Sequence, residues 1–181
     1  IHLADIPILS ADRGNDDPFV IAGGPCAYNP EPLADVIDFF VIGEGEEVTL
    51  EILDMYKDFK KSMGNRKDFL REVYVPSFYQ VHYNQDGTIK DRVPTVDGVP
   101  RIIKKRMIKD LNKVYFPDKL IVPFIETVHD RIPLEIFRGC TRGCRFCQAG
   151  MIYRPVREKN IPRLLDLAEK LVSSTGYEDI S

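Results

Sequence analysis

Three of the four cysteines in this 181-residue chain, Cys140, Cys144 and Cys147, fall within one eight-residue stretch. Thiolates are soft ligands that suit zinc or iron–sulfur clusters. Spacings of four and then three residues let all three reach one small object if the loop curls around it. Four cysteines are too few for a disulfide scaffold in a chain of this length. Structural zinc asks for four protein ligands, commonly paired as CxxC modules well apart in sequence, whereas this loop offers three and no nearby histidine. A three-thiolate site leaves one metal position open, and in a cubane cluster the open iron can bind a small molecule directly. The competing readings are a zinc knuckle that borrows a fourth ligand such as His129, and free thiols.

The rest of the composition is globular. A hydrophobic fraction of 44% beside 29% charged residues excludes a wholly disordered or collagen-like chain. A formal charge of −3 excludes a polycation that coats nucleic acid through bulk charge, so partners must be argued locally. No apolar run approaches the roughly 20 residues needed to span a bilayer, and Ile1-His2-Leu3-Ala4-Asp5 has no basic leader. The expectation is a soluble cytoplasmic protein without a membrane partner. The start at Ile1 and the stop at Ser181, where a new strand is expected, suggest a segment of something longer.

Along the chain, Pro18-Phe19-Val20-Ile21-Ala22 reads as a buried strand closed by the glycine turn Gly23-Gly24-Pro25. Asn29 then caps a predicted helix with Pro30 at its first position and Leu33, Val36 and Ile37 on its apolar face. A second strand is predicted over residues 39–42, ending at Gly43-Glu44-Gly45-Glu46. After it Val48, Ile52, Met55, Tyr56 and Phe59 keep helical spacing as far as Gly64. Strand, helix, strand, helix indicates a parallel α/β layer, the tail of a doubly wound domain over residues 1–65.

Residues 66–132 read as a β-rich connector. A hairpin turns at Asp86-Gly87, a second turn at Asp97-Gly98 precedes a further strand over residues 99–107, and a proline-punctuated stretch holds a short extended piece at 120–125. In residues 133–181, Leu134-Glu135-Ile136-Phe137 forms a strand that runs straight into the cysteine loop. Asn160 then caps a helix with the face Leu164, Leu167, Ala168, Leu171 and Val172, stopped by Gly176. Strand, functional loop, helix and next strand make one βα unit. Barrels and open α/β sheets place their chemistry at the carboxyl ends of parallel strands.

The basic residues Arg138, Arg142, Arg145, Arg154, Arg157, Lys159 and Arg163 face a single acid, Glu158, over the same stretch. They read either as a solvated face or as positive charge that raises a cluster's potential and attracts an anionic substrate, RNA included. Cys26 reads as a small buried residue, and His2, His82 and His129 as structural or exposed histidines.

The run Cys140-Thr141-Arg142-Gly143-Cys144-Arg145-Phe146-Cys147 resembles the CxxxCxxC loop of the radical S-adenosylmethionine (radical SAM) superfamily, including the aromatic residue before the last cysteine. Its flanks, Glu135-Ile136-Phe137-Arg138-Gly139 and Gln148 to Arg157, are similar to a bacterial subgroup that carries an N-terminal cobalamin-binding-type domain. The resemblance implies a flavodoxin-like domain upstream and the first βα unit of a partial TIM barrel downstream. It implies that Cys140, Cys144 and Cys147 hold a [4Fe-4S] cluster whose open iron binds S-adenosylmethionine, cleaved by one electron to a 5′-deoxyadenosyl radical. Phe146 would lie near the adenine, Gly139 and Gly143 would let the loop curl, and a flavodoxin or ferredoxin would supply the electron. Gly23 and Gly24 would face a cobalamin tail, although the anchoring Asp-x-His-x-x-Gly pattern is absent from this sequence and bound cobalamin is not claimed. The family's Gly-Gly-Glu segment is expected beyond Ser181, so the segment alone is expected to be inactive.

Overall fold

Phe39 and Phe40 organise the first part of the chain, because neighbours along a strand point to opposite faces and both of these rings are buried. The computed structural model describes every residue except Met63, Arg71, Glu72, Glu126, Thr127 and His129, together with the Lys67 side chain. The fourth-ligand role considered for His129 therefore lies outside the described residues. Contacts divide the chain into two units, Ile1–Met107 and Ile108–Ser181.

In the first unit, strand β1 (Ile21–Ala22) pairs in parallel with β2 (Phe39–Phe40). The ladder is extended by the Asp38 amide to the Val20 carbonyl at 2.9 Å and the Val41 amide to the Ala22 carbonyl at 2.8 Å. On its other side Phe40 bridges Tyr74. Phe39 packs with Ile52, Phe69 and Val75, joined by Phe19, Tyr56 and Phe59. Phe19 and Phe69 lie 4.7 Å apart between ring centroids, and Phe39 and Phe69 meet edge to face at 5.8 Å, spacings that aromatic pairs favour. Phe40 packs instead with Ala27, Tyr74, Tyr79 and Val99. Burial pushes the Tyr74 hydroxyl up to about 12, with the neighbouring Tyr79 adding to the effect, so it stays protonated between Glu31 and Arg92.

Helix α1 (Gly45–Ser62) bears out the predicted spacing: Ile52 is buried, and Val48, Met55, Tyr56 and Phe59 pack on the Phe39 side. Glu46 and Glu47 open it and Lys60 and Lys61 close it, charges that suit the helix dipole. The helix predicted after Asn29 does not form. The chain instead makes a 3-10 turn at Glu31–Leu33, with Leu33 exposed, and closes a further turn from the Val36 and Ile37 amides to the Leu33 carbonyl; Pro32 disfavours helical backbone at Glu31 before it. A short helix α2 (Arg66–Leu70) follows α1.

A buried ion triad sits at the start of β2. Asp38 accepts from Arg13 at 2.7 Å, from Arg66 at 2.8 Å and from the Val20 amide at 2.7 Å, and all three side chains are almost wholly inaccessible. The remaining guanidinium donors are carried largely by backbone carbonyls, those of Pro7, Ile8 and Val36 for Arg13 and of Gly14, Asp17 and Pro18 for Arg66.

The hairpin forms as predicted, with β3 (Tyr79–Tyr83) antiparallel to β4 (Ile89–Pro94) and Gly87 in the left-handed region at φ 83°. The strand predicted over residues 99–107 is reduced to one bridge, Gly43 to Arg106. Gly43 has φ 117°, and a Cβ there would strike the Arg106 backbone.

The second unit begins with a small apolar cluster of Ile108, Leu111 and Val114. No strand forms at 120–125, where Ile121 and Phe124 are fully exposed. Strand β5 (Phe137–Arg138) pairs antiparallel with β6 (Arg157–Glu158), and between them the chain makes a helical turn, α3 (Ala149–Ile152). Helix α4 (Ile161–Thr175) follows the predicted pattern at both ends. The Asn160 side chain accepts from the Arg163 amide at 2.9 Å, and Gly176, at φ 74°, returns its amide to the Val172 carbonyl. Leu167 and Leu171 are fully buried. Ahead of β5, Ile132 bridges Ile180 in parallel, with amide-to-carbonyl bonds of 2.8 Å in both directions along that edge. Two parallel segments joined through a helix are a βαβ arrangement.

The described residues thus form a mixed α/β chain with three two-stranded sheets and no closed barrel. Among them no helix is long and apolar enough to cross a membrane.

Candidate metal centre at the cysteine loop

The loop leaves β5 at Gly139, whose φ of 97° is left-handed backbone, and a Cβ there would lie 2.5 Å from the Pro155 carbonyl oxygen and 2.8 Å from that of Tyr153. Only glycine fits this approach. Gly143 does not share the role expected of it, since its φ is not positive and a Cβ there would meet nothing within 4 Å.

Beyond Gly139 the backbone is tied by an arginine from the far side of the loop. Arg154 Nε donates to the Cys140 carbonyl at 3.2 Å and Nη2 to the Arg142 carbonyl at 3.0 Å. The Arg142 amide reaches the Cys140 Sγ at 3.4 Å. Further along, the Cys147 amide closes a turn on the Cys144 carbonyl at 3.1 Å before the chain enters α3. Cys140 and Cys147 are half-buried, Cys144 is exposed, and all are free thiols. A cavity of about 450 Å³ opens between Cys144, Cys147, Phe146, Met151 and the arginines 142, 145 and 154, with no carboxylate among the described residues of its lining. Phe146 presents its ring almost fully to that space, at 93% exposure.

The donor set suits an iron–sulfur cluster: three soft thiols on one loop, none in a disulfide, with room beside two of them. The thiols are not drawn together, however. Among the described residues no three His, Cys, Asp or Glu side chains are gathered so as to hold a metal ion.

The strand feeding the loop is held by an ion cluster that sequence reasoning missed. Glu135 pairs with Arg138 Nε at 2.7 Å and with Lys159, whose side chain is fully buried and lies 5.0 Å from the Phe116 ring centroid. Burial works to raise the Glu135 carboxyl, but the hydrogen bonds and charges of Arg138 and Lys159 outweigh it and hold the group below the usual glutamate value.

These contacts also change the reading of the basic stretch. Arg138 and Lys159 serve Glu135, and Arg163 serves Asp166. Arg154 binds the loop carbonyls, and Arg157 binds the carbonyls of Ile108, Pro155 and Tyr153. Arg142 and Arg145 are left exposed on the cavity wall. Counting charges along the sequence showed an excess of arginine but could not show which ones fold back on the main chain.

The other candidates lie in the first unit. Gly23 and Gly24 end β1, with Gly24 at φ 88° and open space where its Cβ would be. Cys26 is exposed rather than buried, because the 3-10 turn Pro25–Tyr28 sends Ala27 into the core instead. His82 faces Asp91 across the hairpin at 2.6 Å, a partner nine residues away in sequence that strand pairing creates.

Residues 1–81 match a family described as radical SAM proteins, N-terminal. The chain is also similar to the uncharacterized protein MJ0966 of Methanocaldococcus jannaschii, 30% identical over 161 residues, which cover 87% of this chain and 29% of that protein. The chain therefore spans less than a third of the length of this curated relative. No solved structure matches.

Proposed function

We propose that this chain is part of a radical SAM enzyme in which Cys140, Cys144 and Cys147 hold a [4Fe-4S] cluster. The observation that carries the reading is the agreement of two stretches that do not overlap: the family match ends at residue 81, and the cysteine loop begins at residue 140. In this reading residues 1–65 are the C-terminal part of a flavodoxin-like, cobalamin-binding-type domain, residues 66–132 a connector, and residues 133–181 the opening of a partial barrel. The parallel pair β1–β2 followed by α1, and the parallel Ile132–Ile180 bridge around α4, support that division. Cobalamin itself is not assigned; Gly24 only leaves its backbone open.

When bound, the cluster supplies the electron that cleaves the sulfonium of S-adenosylmethionine. The chain's own residues do the rest. The thiolates anchor the iron, and the exposed Phe146 ring offers a stacking face for adenine. Arg138 and Lys159 neutralise Glu135, the one acid of the incoming strand, so the loop keeps a positive field. Such a field favours the reduced cluster and draws in an anionic substrate, for which Arg142 and Arg145 are the exposed partners, RNA being one such substrate. A flavodoxin or ferredoxin is the proposed electron donor, and a reducing cytoplasm the proposed setting.

Anaerobic reconstitution with iron and sulfide tests the assignment. A brown protein with iron and sulfide bound in near-equal amounts, lost when Cys140, Cys144 or Cys147 becomes serine, is the expected result. Stoichiometric zinc with no colour would replace it with a zinc-dependent interaction module.

A further inference from the structure

We infer that Arg154 is a positioning residue that fixes the Cys140 half of the loop, leaving the Cys144 to Cys147 half to move when the three thiols gather around a metal cluster. The second clause rests on the function proposed above; the first rests on geometry alone. The segment around Arg154 grips residues 139–142 in two ways. Its backbone, at Tyr153 and Pro155, closes over Gly139 so tightly that no side chain fits there. Its side chain reaches forward to two carbonyls, those of Cys140 and Arg142, through two different nitrogens. A guanidinium is a rigid planar fork and can serve two acceptors two residues apart; a lysine ammonium is a point charge on a flexible stem.

Among the described residues the other half of the loop has no comparable hold. Residues 143–146 are exposed, open space surrounds Gly143, and one backbone bond, Cys147 to Cys144, braces the turn. Segments with few buried contacts open first. Gathering the three thiols then falls to the Cys144 to Cys147 half, moving toward the fixed Cys140 half.

The test compares the full chain with Arg154→Ala and Arg154→Lys. In metal-free protein, alkylation of Cys140 is expected to speed up severalfold in Arg154→Ala while Cys144 reacts as before. After reconstitution, iron is expected to pass to a competing chelator with about 10-fold to 100-fold weaker retention, the range found when residues that orient metal ligands are removed. Arg154→Lys keeps the charge but not the fork and is expected to resemble Arg154→Ala in both readouts. It also carries the test if the alanine variant fails to fold. Unchanged Cys140 reactivity, or full recovery by lysine, overturns the positioning role. A wild-type chain that takes up no iron overturns the proposed function instead, and the alkylation arm still judges Arg154.

Discussion

In residues 1–107 two arginines converge on one buried carboxylate, whereas in residues 108–181 Arg154 and Arg157, which follow the cysteine loop, are bonded to main-chain carbonyls. The first arrangement locks a scaffold: Asp38 opens β2, and the elements carrying Arg13 and Arg66 are pinned to it beside an aromatic core. The second shapes a loop through its main-chain dipoles. Arginine therefore does structural work through a shared buried charge partner at Asp38 and through main-chain dipoles beside the cysteine loop.

The largest expected effect comes from breaking the scaffold triad. Asp38→Ala leaves two buried guanidiniums without their counter-charge, and uncompensated buried charge costs about 3–5 kcal/mol. Chemical denaturation of the whole chain followed by tyrosine fluorescence reads this loss, since Tyr28, Tyr56, Tyr74, Tyr79 and Tyr83 lie in the first unit and Tyr115, Tyr153 and Tyr177 in the second. A loss below about 1 kcal/mol would mean that the backbone carbonyls alone satisfy Arg13 and Arg66, which would erase the contrast between the units.

A smaller effect is expected at Glu135, the carboxylate that the second unit does retain. Its folded value lies below the ordinary 4.5, so its pairs with Arg138 and Lys159 contribute stability in full above that value. The contribution is lost as pH falls through the lower folded value. The melting temperature of the wild type is therefore expected to approach that of Glu135→Gln on acidification below 4.5 and to exceed it at neutral pH. Parallel curves for the two proteins across this range would show that Glu135 is not held by its partners.

What was legible in the sequence was local. Helix α4 was readable from Asn160 to Gly176 because cap, apolar stripe and stop all lie within one element, and the hairpin was readable because Asp86-Gly87 dictates its turn. The same rules failed after Asn29, where Pro30 matched a helix start but Pro32 disfavours helical backbone at Glu31 and a 3-10 turn forms instead. The Cys140–Cys147 loop was recognisable from its spacing, its aromatic residue and its flanks, yet the residues that shape it were not. Arg154, Glu135 and Lys159 act through partners 12 to 24 residues away, and the Asp38 triad spans more than that. Periodicity carries no information about such contacts, which arise only once strands and turns bring the groups together.

The central claim is that three thiols of one loop hold a cluster with an open iron. Electron paramagnetic resonance of the anaerobically reconstituted, reduced full-length protein, recorded with and without S-adenosylmethionine, tests it most directly. The account predicts a [4Fe-4S] signal that changes on adding the nucleotide and disappears in Cys144→Ser. A signal that stays the same with and without S-adenosylmethionine, or that survives the loss of Cys144, would contradict it.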